Sequence, residues 1–113
     1  IGGTGPKKTL RMVAQYADAC NIFEGAGPEN MQKALDALKK HCEELGRDYD
    51  TIEKTSLGTL HLSGIDTVDG TIHRIKELSG MGFTHAIFNM PDVYPITPLD
   101  IFAKEIIPAV AEL

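Results

Sequence analysis

The sequence has no tryptophan, few aromatic residues (6%) and only two cysteines in 113 residues. Cys20 and Cys42 are too few for a disulfide framework and follow no zinc-ligand spacing, which favours a reducing, cytoplasmic setting. The longest apolar run, 106–111, is far shorter than the roughly 20 residues that a membrane-spanning helix needs. Basic residues cluster only as the pairs Lys7-Lys8 and Lys39-Lys40 in a chain of net charge −5, so we expect no nucleic-acid partner.

The start of the chain also lacks features. It has no initiator methionine and no signal-peptide pattern, and it passes from Ile1 directly into a glycine-rich stretch. We interpret this start as the interior of a longer polypeptide. The composition, 42% hydrophobic and 24% charged, is typical of folded globular protein, and the length allows one domain or part of one.

Apolar spacing alternates between strand-like and helical patterns, and glycine or proline stands at nearly every change. Strands are predicted over 19–23, 55–62 and 83–89, the first of them buried on both faces, and Gly58 is predicted to mark a close approach by another group. The first two predicted helices run from Thr9 to about Asp18 and from Pro28 to just before Gly46. The third runs from a cap at Thr67 to Gly80. The last begins after a cap at Thr97, and Pro108 is predicted to kink it near Lys104.

Three strand–helix units after an initial loop and helix imply an α/β fold of parallel strands joined by right-handed crossovers. Two architectures remain open at this point. A small flavodoxin-like domain would carry helices on both faces of its sheet, whereas part of a (β/α)8 barrel would carry them on one face. Both place functional residues at the carboxyl ends of the strands.

The glycine-rich stretch 2–9 contains Gly2, Gly3, Thr4 and Gly5 and then Lys8 and Thr9 at the start of the first helix. Such a loop exposes backbone N–H groups where the helix dipole also favours an anion. Neither the P-loop pattern nor GxGxxG fits its spacing. The residues alone therefore leave two interpretations, a phosphate site and a tight turn.

The stretches 1–23, 27–55 and 98–113 resemble the carboxyl-terminal part of the luciferase-like monooxygenase family, most closely its F420-dependent or flavin-dependent oxidoreductases. The resemblance rests on the glycine loop, a Tyr-Ala-Asp-Ala-x-Asn turn into a strand, and a Gly-Arg-Asp connection, in that order. It implies the carboxyl-terminal half of a (β/α)8 TIM barrel, with 1–113 as a single partial domain that runs from about the end of the fifth strand to the eighth helix.

The resemblance also implies a cofactor, coenzyme F420 or FMN, bound at the mouth of the barrel. The residues that match the family's phosphate loop are Gly2, Gly3, Thr4 and Gly5, with Lys8 and Thr9 just beyond. Asn21, on the strand that matches the family's sixth, is a further candidate either for hydrogen bonding to the cofactor or for satisfying a neighbouring carbonyl.

Other polar residues are predicted at the carboxyl ends of strands. Glu24, Asn89, Asp92 and Tyr94 are candidates for lining a substrate mouth. His61 is a candidate acid or base, and the alternatives are a local structural pairing and a position facing the helix layer. His85 is predicted to be structural because it begins a strand. His41 and His73 are predicted to lie on solvated helix faces.

The sequence shows no Ser/His/Asp set, no paired carboxylates and no metal cluster, so catalytic residues and metal ligands are not assigned. Hydride transfer by a bound cofactor requires none of these, and the resemblance implies that reaction on a small-molecule substrate. We expect the chain alone to be inactive, and we expect it to associate either with itself or with an amino-terminal half-barrel, because open parallel sheets expose unpaired backbone. The alternative function is a non-catalytic flavin- or phosphate-binding assembly module.

Overall fold

The computed structural model describes all of residues 1–113. Parallel strands alternate with helices along the whole chain, as the spacing predicts. The elements are α1 (Thr9–Tyr16), β1 (Ala19–Phe23), α2 (Pro28–Leu45), β2 (Glu53–Thr59), α3 (Val68–Met81), β3 (His85–Asn89), α4 (Thr97–Ile101) and α5 (Ile107–Val110), with 3-10 turns at Glu24–Ala26 and Tyr49–Thr51 and a π-helical segment at Phe102–Ile106.

The strands form one parallel sheet in the order β1-β2-β3. Gly2 extends this order on the other side of β1 through an isolated parallel bridge to Asn21. The α-amino group of Ile1 donates to the Ala19 carbonyl at 2.8 Å, and Asn21 N–H donates to the Ile1 carbonyl at 2.9 Å. Successive segments of the chain therefore lie side by side along the sheet with no reversal of direction.

Local sequence signals set the bounds of α2. Pro28 occupies its first turn, where a missing N–H costs no hydrogen bond, and Gly46 ends it in the left-handed conformation at φ 68°. The Gly46 amide donates to the carbonyls of Cys42 and Glu43, which closes the last turn. The predicted bounds of this helix are confirmed.

Four predicted boundaries are wrong. β2 runs over Glu53–Thr59 rather than 55–62, so His61 and Leu62 lie in the following loop. β3 begins at His85 rather than at position 83. The helix α3 continues through Gly80 and ends at Gly82, whose φ of 102° provides the left-handed cap. Thr97 is the first residue of α4 instead of its cap, since Ile96 takes the cap position.

Two other predictions about local structure are confirmed. Thr67 caps α3, because its Oγ1 accepts a hydrogen bond from Gly70 N–H at 3.0 Å. Pro108 disturbs the last helix, which widens into the π-helical turn over Phe102–Ile106 just before it. A proline cannot supply the N–H that a regular turn needs at this point, and the wider turn accommodates that loss.

The core lies between one face of the sheet and the helices. It is a single cluster of 14 buried side chains, most of them on α1, β1 and α2, and its members are Leu10, Val13, Ala14, Ala17, Cys20, Ile22, Met31, Ala34, Leu35, Leu38, Cys42, Ile52, Leu78 and Phe83. The last helix covers the same face near β3, where the rings of Phe88 and Phe102 meet edge to face at 6.2 Å.

The opposite face of the sheet carries no helix. Phe23, Leu57 and Ile87 form one cross-strand row on it, and Phe23 and Ile87 are 55% and 42% exposed. The prediction that β1 is buried on both faces is therefore wrong, since only Cys20 and Ile22 on the helix side are fully covered. Helices on a single face also contradict the flavodoxin-like alternative.

Candidate functional site

The candidate site is the glycine-rich segment between Gly2 and Thr9, which we call the glycine loop. It follows the bridge between Gly2 and Asn21, in the middle of β1, and leads directly into α1. Gly3 has φ 113°, a conformation that residues with a side chain rarely adopt, and its N–H donates to the Asn21 carbonyl at 3.2 Å. The loop thus turns sharply from the sheet edge into the helix.

The amides of the glycine loop are largely free. Those of Thr4, Gly5, Lys8 and Thr9 donate no hydrogen bond within the chain, whereas Leu10 N–H donates to the Gly5 carbonyl at 3.0 Å. No side chain caps the start of α1. Several N–H donors therefore stand at the positive end of a helix dipole, which is the arrangement that binds an oxyanion.

Close packing within the loop explains its second internal glycine. A Cβ added at Gly5 would lie 2.8 Å from Thr9 Oγ1, so the Thr9 side chain would have to shift. Gly2 has no such restriction, because nothing lies within 4 Å of where its Cβ would be. The structural need for glycine is therefore specific to Gly3 and Gly5.

Two further side chains border the site. A groove of about 290 Å³ runs between the glycine loop and the start of α2, and Thr4, Asn30 and Lys33 line it. The Lys33 ammonium pairs with Glu29 at 2.9 Å on an exposed helix surface. Sequence reasoning missed this groove, because its two walls are separated by more than twenty residues.

Asn21 touches the glycine loop through its backbone rather than through its side chain. Its Nδ2 donates to Thr55 Oγ1 at 2.7 Å, and Thr55 Oγ1 donates in turn to the Cys20 carbonyl at 3.3 Å. The side chain thus links β1 to β2 on the open face of the sheet. Its predicted role towards a cofactor stays a prediction, beside this structural one.

A second polar cluster lies after β2 and β3. His61 Nδ1 is 2.9 Å from Asp92 Oδ2, and Ser63 Oγ donates to the same oxygen at 2.9 Å. These hydrogen bonds from His61 and Ser63 hold the pKa of Asp92 below its ordinary value. His61 N–H also donates to Asp66 Oδ2 at 2.7 Å, which fixes the loop locally.

This cluster brings together a serine, a histidine and an aspartate that the sequence alone did not group. Their order differs from that of a nucleophilic triad, because Ser63 donates to the carboxylate and not to the imidazole. The local pairing weighed for His61 is confirmed. Asp92 lies at the carboxyl end of the sheet as predicted, while Tyr94 is 93% exposed.

Glu24 is held in a structural ion pair. Arg74 Nε donates to Glu24 Oε2 at 2.7 Å, and Arg74 Nη1 donates to the Thr59 carbonyl at 3.0 Å. Both side chains pack against Gly58, where an added Cβ would collide with them. The close approach predicted at Gly58 is confirmed, and the approaching groups are this pair.

His85 and His73 lie where the sequence places them, exposed beside Glu53 and Glu77. His41 does not, because its side chain is only 16% exposed and its Nε2 lies 2.6 Å from the Pro6 carbonyl. The prediction of a solvated face for His41 is wrong. Its position three residues after buried Leu38 was the available signal that it borders the packed face of α2.

Burial raises the pKa of the Cys20 thiol, and the same cause raises that of Cys42. Neither is a reactive thiolate near the site. No three His, Cys, Asp or Glu side chains lie close enough together to hold a metal ion. None of the helices has the combined length and apolar character that crossing a bilayer requires.

The fold is similar to that of a solved enzyme, an F420-dependent secondary alcohol dehydrogenase in complex with an F420–acetone adduct. The TM-score is 0.75 at 18% sequence identity, and the likeness covers 96% of this chain and 47% of that one. The chain thus spans about half the length of that enzyme, and it matches part of a TIM-barrel fold. No protein-family model and no curated protein matches the sequence.

Proposed function

We propose that this chain is the carboxyl-terminal half of a luciferase-like (β/α)8 oxidoreductase, and that its glycine loop holds the phosphate of coenzyme F420. One observation carries the proposal: the amides of Thr4, Gly5, Lys8 and Thr9 are free at the start of a helix, beside the carboxyl end of a parallel sheet. The similar fold of an F420-dependent dehydrogenase favours F420 over FMN as the cofactor.

The glycine loop suits a phosphate in charge as well as in geometry. Residues 1–17 contain no Asp or Glu, and the side chains of Lys7 and Lys8 are exposed beside the free amides. Charged donors strengthen hydrogen bonds to an oxyanion, and no carboxylate of the loop opposes its approach. The charge of this segment therefore favours an anion.

The half-barrel interpretation rests on the shape of the chain. Its radius of gyration is 15.4 Å, whereas a compact domain of this length measures about 13 Å. All helices lie on one face of the sheet, and the other face exposes the Phe23–Leu57–Ile87 row. In a closed barrel that row would point into the interior, so we propose a second half-barrel, either an amino-terminal partner or another copy, as its cover.

Bound F420 would supply the hydride chemistry, as cofactors of this kind do. The residues of this chain would bind the phosphate and so fix the depth and direction of the cofactor at the mouth. The substrate would be a small molecule that enters the same mouth. We assign the proton-transfer groups to the other half-barrel, and the chain alone is therefore inactive.

Titration of the chain with F420, FMN and inorganic phosphate, followed by fluorescence and calorimetry, tests this function. We expect all three to bind, F420 most tightly, and Lys8→Glu to weaken F420 binding about tenfold by removing a charged contact. Lys40→Glu, an equally exposed change on α2, is the matched control and leaves binding unchanged.

A failure of phosphate and of F420 to bind the chain would overturn the proposal. Turnover of a secondary alcohol with F420 after an amino-terminal half-barrel is added would support the enzyme. Binding that never leads to turnover in the completed barrel would instead favour a non-catalytic cofactor-binding module.

A further inference from the structure

His41 reaches from α2 to the centre of the glycine loop. Its Nε2 lies 2.6 Å from the Pro6 carbonyl oxygen, although the two residues are 35 positions apart. The carbonyl can only accept a hydrogen bond, so His41 Nε2 carries the proton and donates it. This is a short contact between a largely buried side chain and a loop whose residues from Gly2 to Lys8 are all exposed.

The glycine loop has few other restraints. Within the segment from Gly3 to Thr9, the Gly3 N–H bond to the Asn21 carbonyl fixes the start, and the carbonyls of Gly5 and Lys8 accept from Leu10 and Met12 of the following helix. Two glycines of this segment sample more backbone conformations than other residues, and ordering them costs free energy. The His41 contact at Pro6 adds a restraint that comes from a different helix, 35 positions away in the chain.

The other ring nitrogen of His41, Nδ1, is buried without a hydrogen bond and lies 3.6 Å from Glu44 Oε2. Glu44 also lies 3.6 Å from Arg11 Nη1, so the same carboxylate links α2 to α1.

We propose that His41 is a positioning residue that holds the glycine loop in the conformation in which its free amides face an oxyanion. The purpose of that positioning rests on the proposed phosphate function, whereas the restraint on the loop stands by itself. A preorganised loop binds an anion more tightly because the ordering cost is met before the ligand arrives.

The test compares three variants of the chain by ¹⁵N relaxation and by titration with inorganic phosphate. In His41→Leu we expect the order parameters of the Thr4, Gly5 and Lys8 amides to fall from about 0.85 to below about 0.6. We expect phosphate to bind about fivefold to tenfold more weakly, in line with the loss of one hydrogen bond. His41→Gln, whose amide donor can reach Pro6, restores both values, and His73→Leu on the exposed surface of α3 changes neither.

Several outcomes separate this inference from the proposed function. A rigid loop and unchanged phosphate affinity in a folded His41→Leu variant would overturn the inference. If that variant does not fold, His41→Asn serves instead, because its shorter amide cannot reach Pro6, and equal loop order in the Asn and Gln variants would overturn the inference as well. If the wild-type chain binds no phosphate, but His41→Leu still lowers the order parameters of the loop amides, the phosphate function is refuted and the restraint by His41 is supported.

Discussion

The two faces of the sheet differ sharply although the same strands form both. On the helix-covered face Cys20, Ile22 and Ser56 are completely buried, whereas on the open face Phe23 is 55% and Ile87 42% exposed. Each face carries both apolar and polar side chains, since Lys54 and Ser56 lie on the covered face and Phe23 and Leu57 on the open one. The difference in burial follows from which face the helices cover.

Chain connectivity explains which face is covered. Each right-handed crossover returns its helix to the same side of a parallel sheet when the strands follow one another in order. The chain thus completes one face with its own α1, α2, α3 and last helix. The other face has no helix of this chain over it, and it is the face that would point into the interior of a closed barrel.

The largest expected effect comes from a substitution that creates a cavity in the core beneath the covered face. Leu38→Ala removes a fully buried side chain of α2, and we expect it to lower the free energy of unfolding by about 2–5 kcal/mol. Urea denaturation followed by circular dichroism measures the change. Leu57→Ala on the open face is the control, and an equal loss there would contradict the distinction between the faces.

Overpacking of the covered face is the second test. Gly58→Ala places a methyl group against Arg74 and Glu24, so their ion pair must shift or break. We expect a loss of about 1–3 kcal/mol in the free energy of unfolding. Gly80→Ala, at a helical site with open space around it, is the matched control and is neutral or stabilising. A Gly58→Ala protein as stable as wild type would show that the pair is not held in place.

The third test is a polar substitution on the open face. The double variant Phe23→Ser and Ile87→Thr changes the free energy of unfolding of the isolated chain by only about 0.5 kcal/mol, because both side chains are about half exposed. It abolishes the association that we expect of the wild type. Light scattering at micromolar concentration measures both proteins, and a wild-type chain that stays monomeric would remove the basis for a partner on this face.

The smallest effect concerns the loops that follow β2 and β3 at the carboxyl end of the sheet. The pKa of Asp92 is lowered by hydrogen bonds from His61 and Ser63, so its carboxylate stabilises the fold above the unfolded-state pKa, and this contribution disappears as pH falls through the folded-state pKa. Asp92→Asn is therefore slightly less stable than wild type near pH 7, and the difference vanishes at acid pH. Thermal melts across pH 2–7 test this, with Glu112→Gln at an exposed position as control, and a difference that grows on acidification would contradict it.

The helices and strands could be predicted from the sequence to the extent that their signals are local. Pro28 and Gly46 bound α2 as expected, because a proline at the start and a left-handed glycine at the end act within one turn. The end of α3 was misplaced because Gly80 and Gly82 are both possible stops. Only the second adopts a positive φ, and the packing of Phe83 behind it fixes that choice.

The candidate site divides in the same way. The glycine loop and its place before a helix could be predicted from consecutive residues, which left both an anion site and a tight turn as interpretations. The His41 contact to Pro6 and the Ser63–His61–Asp92 cluster were missed as groups, since each joins residues about thirty positions apart. No spacing rule relates such residues before the strands are placed side by side.

The sequence by itself determined the alternation of strands and helices, the parallel sheet and the exposed amides of the glycine loop, because backbone conformation follows from neighbouring residues and apolar period. Only the tertiary structure decided that one face of the sheet is covered and the other open, that Glu24 forms an ion pair with Arg74, and that His41 contacts the glycine loop at Pro6. These depend on distances between residues far apart in the chain, which the register of β1, β2 and β3 sets.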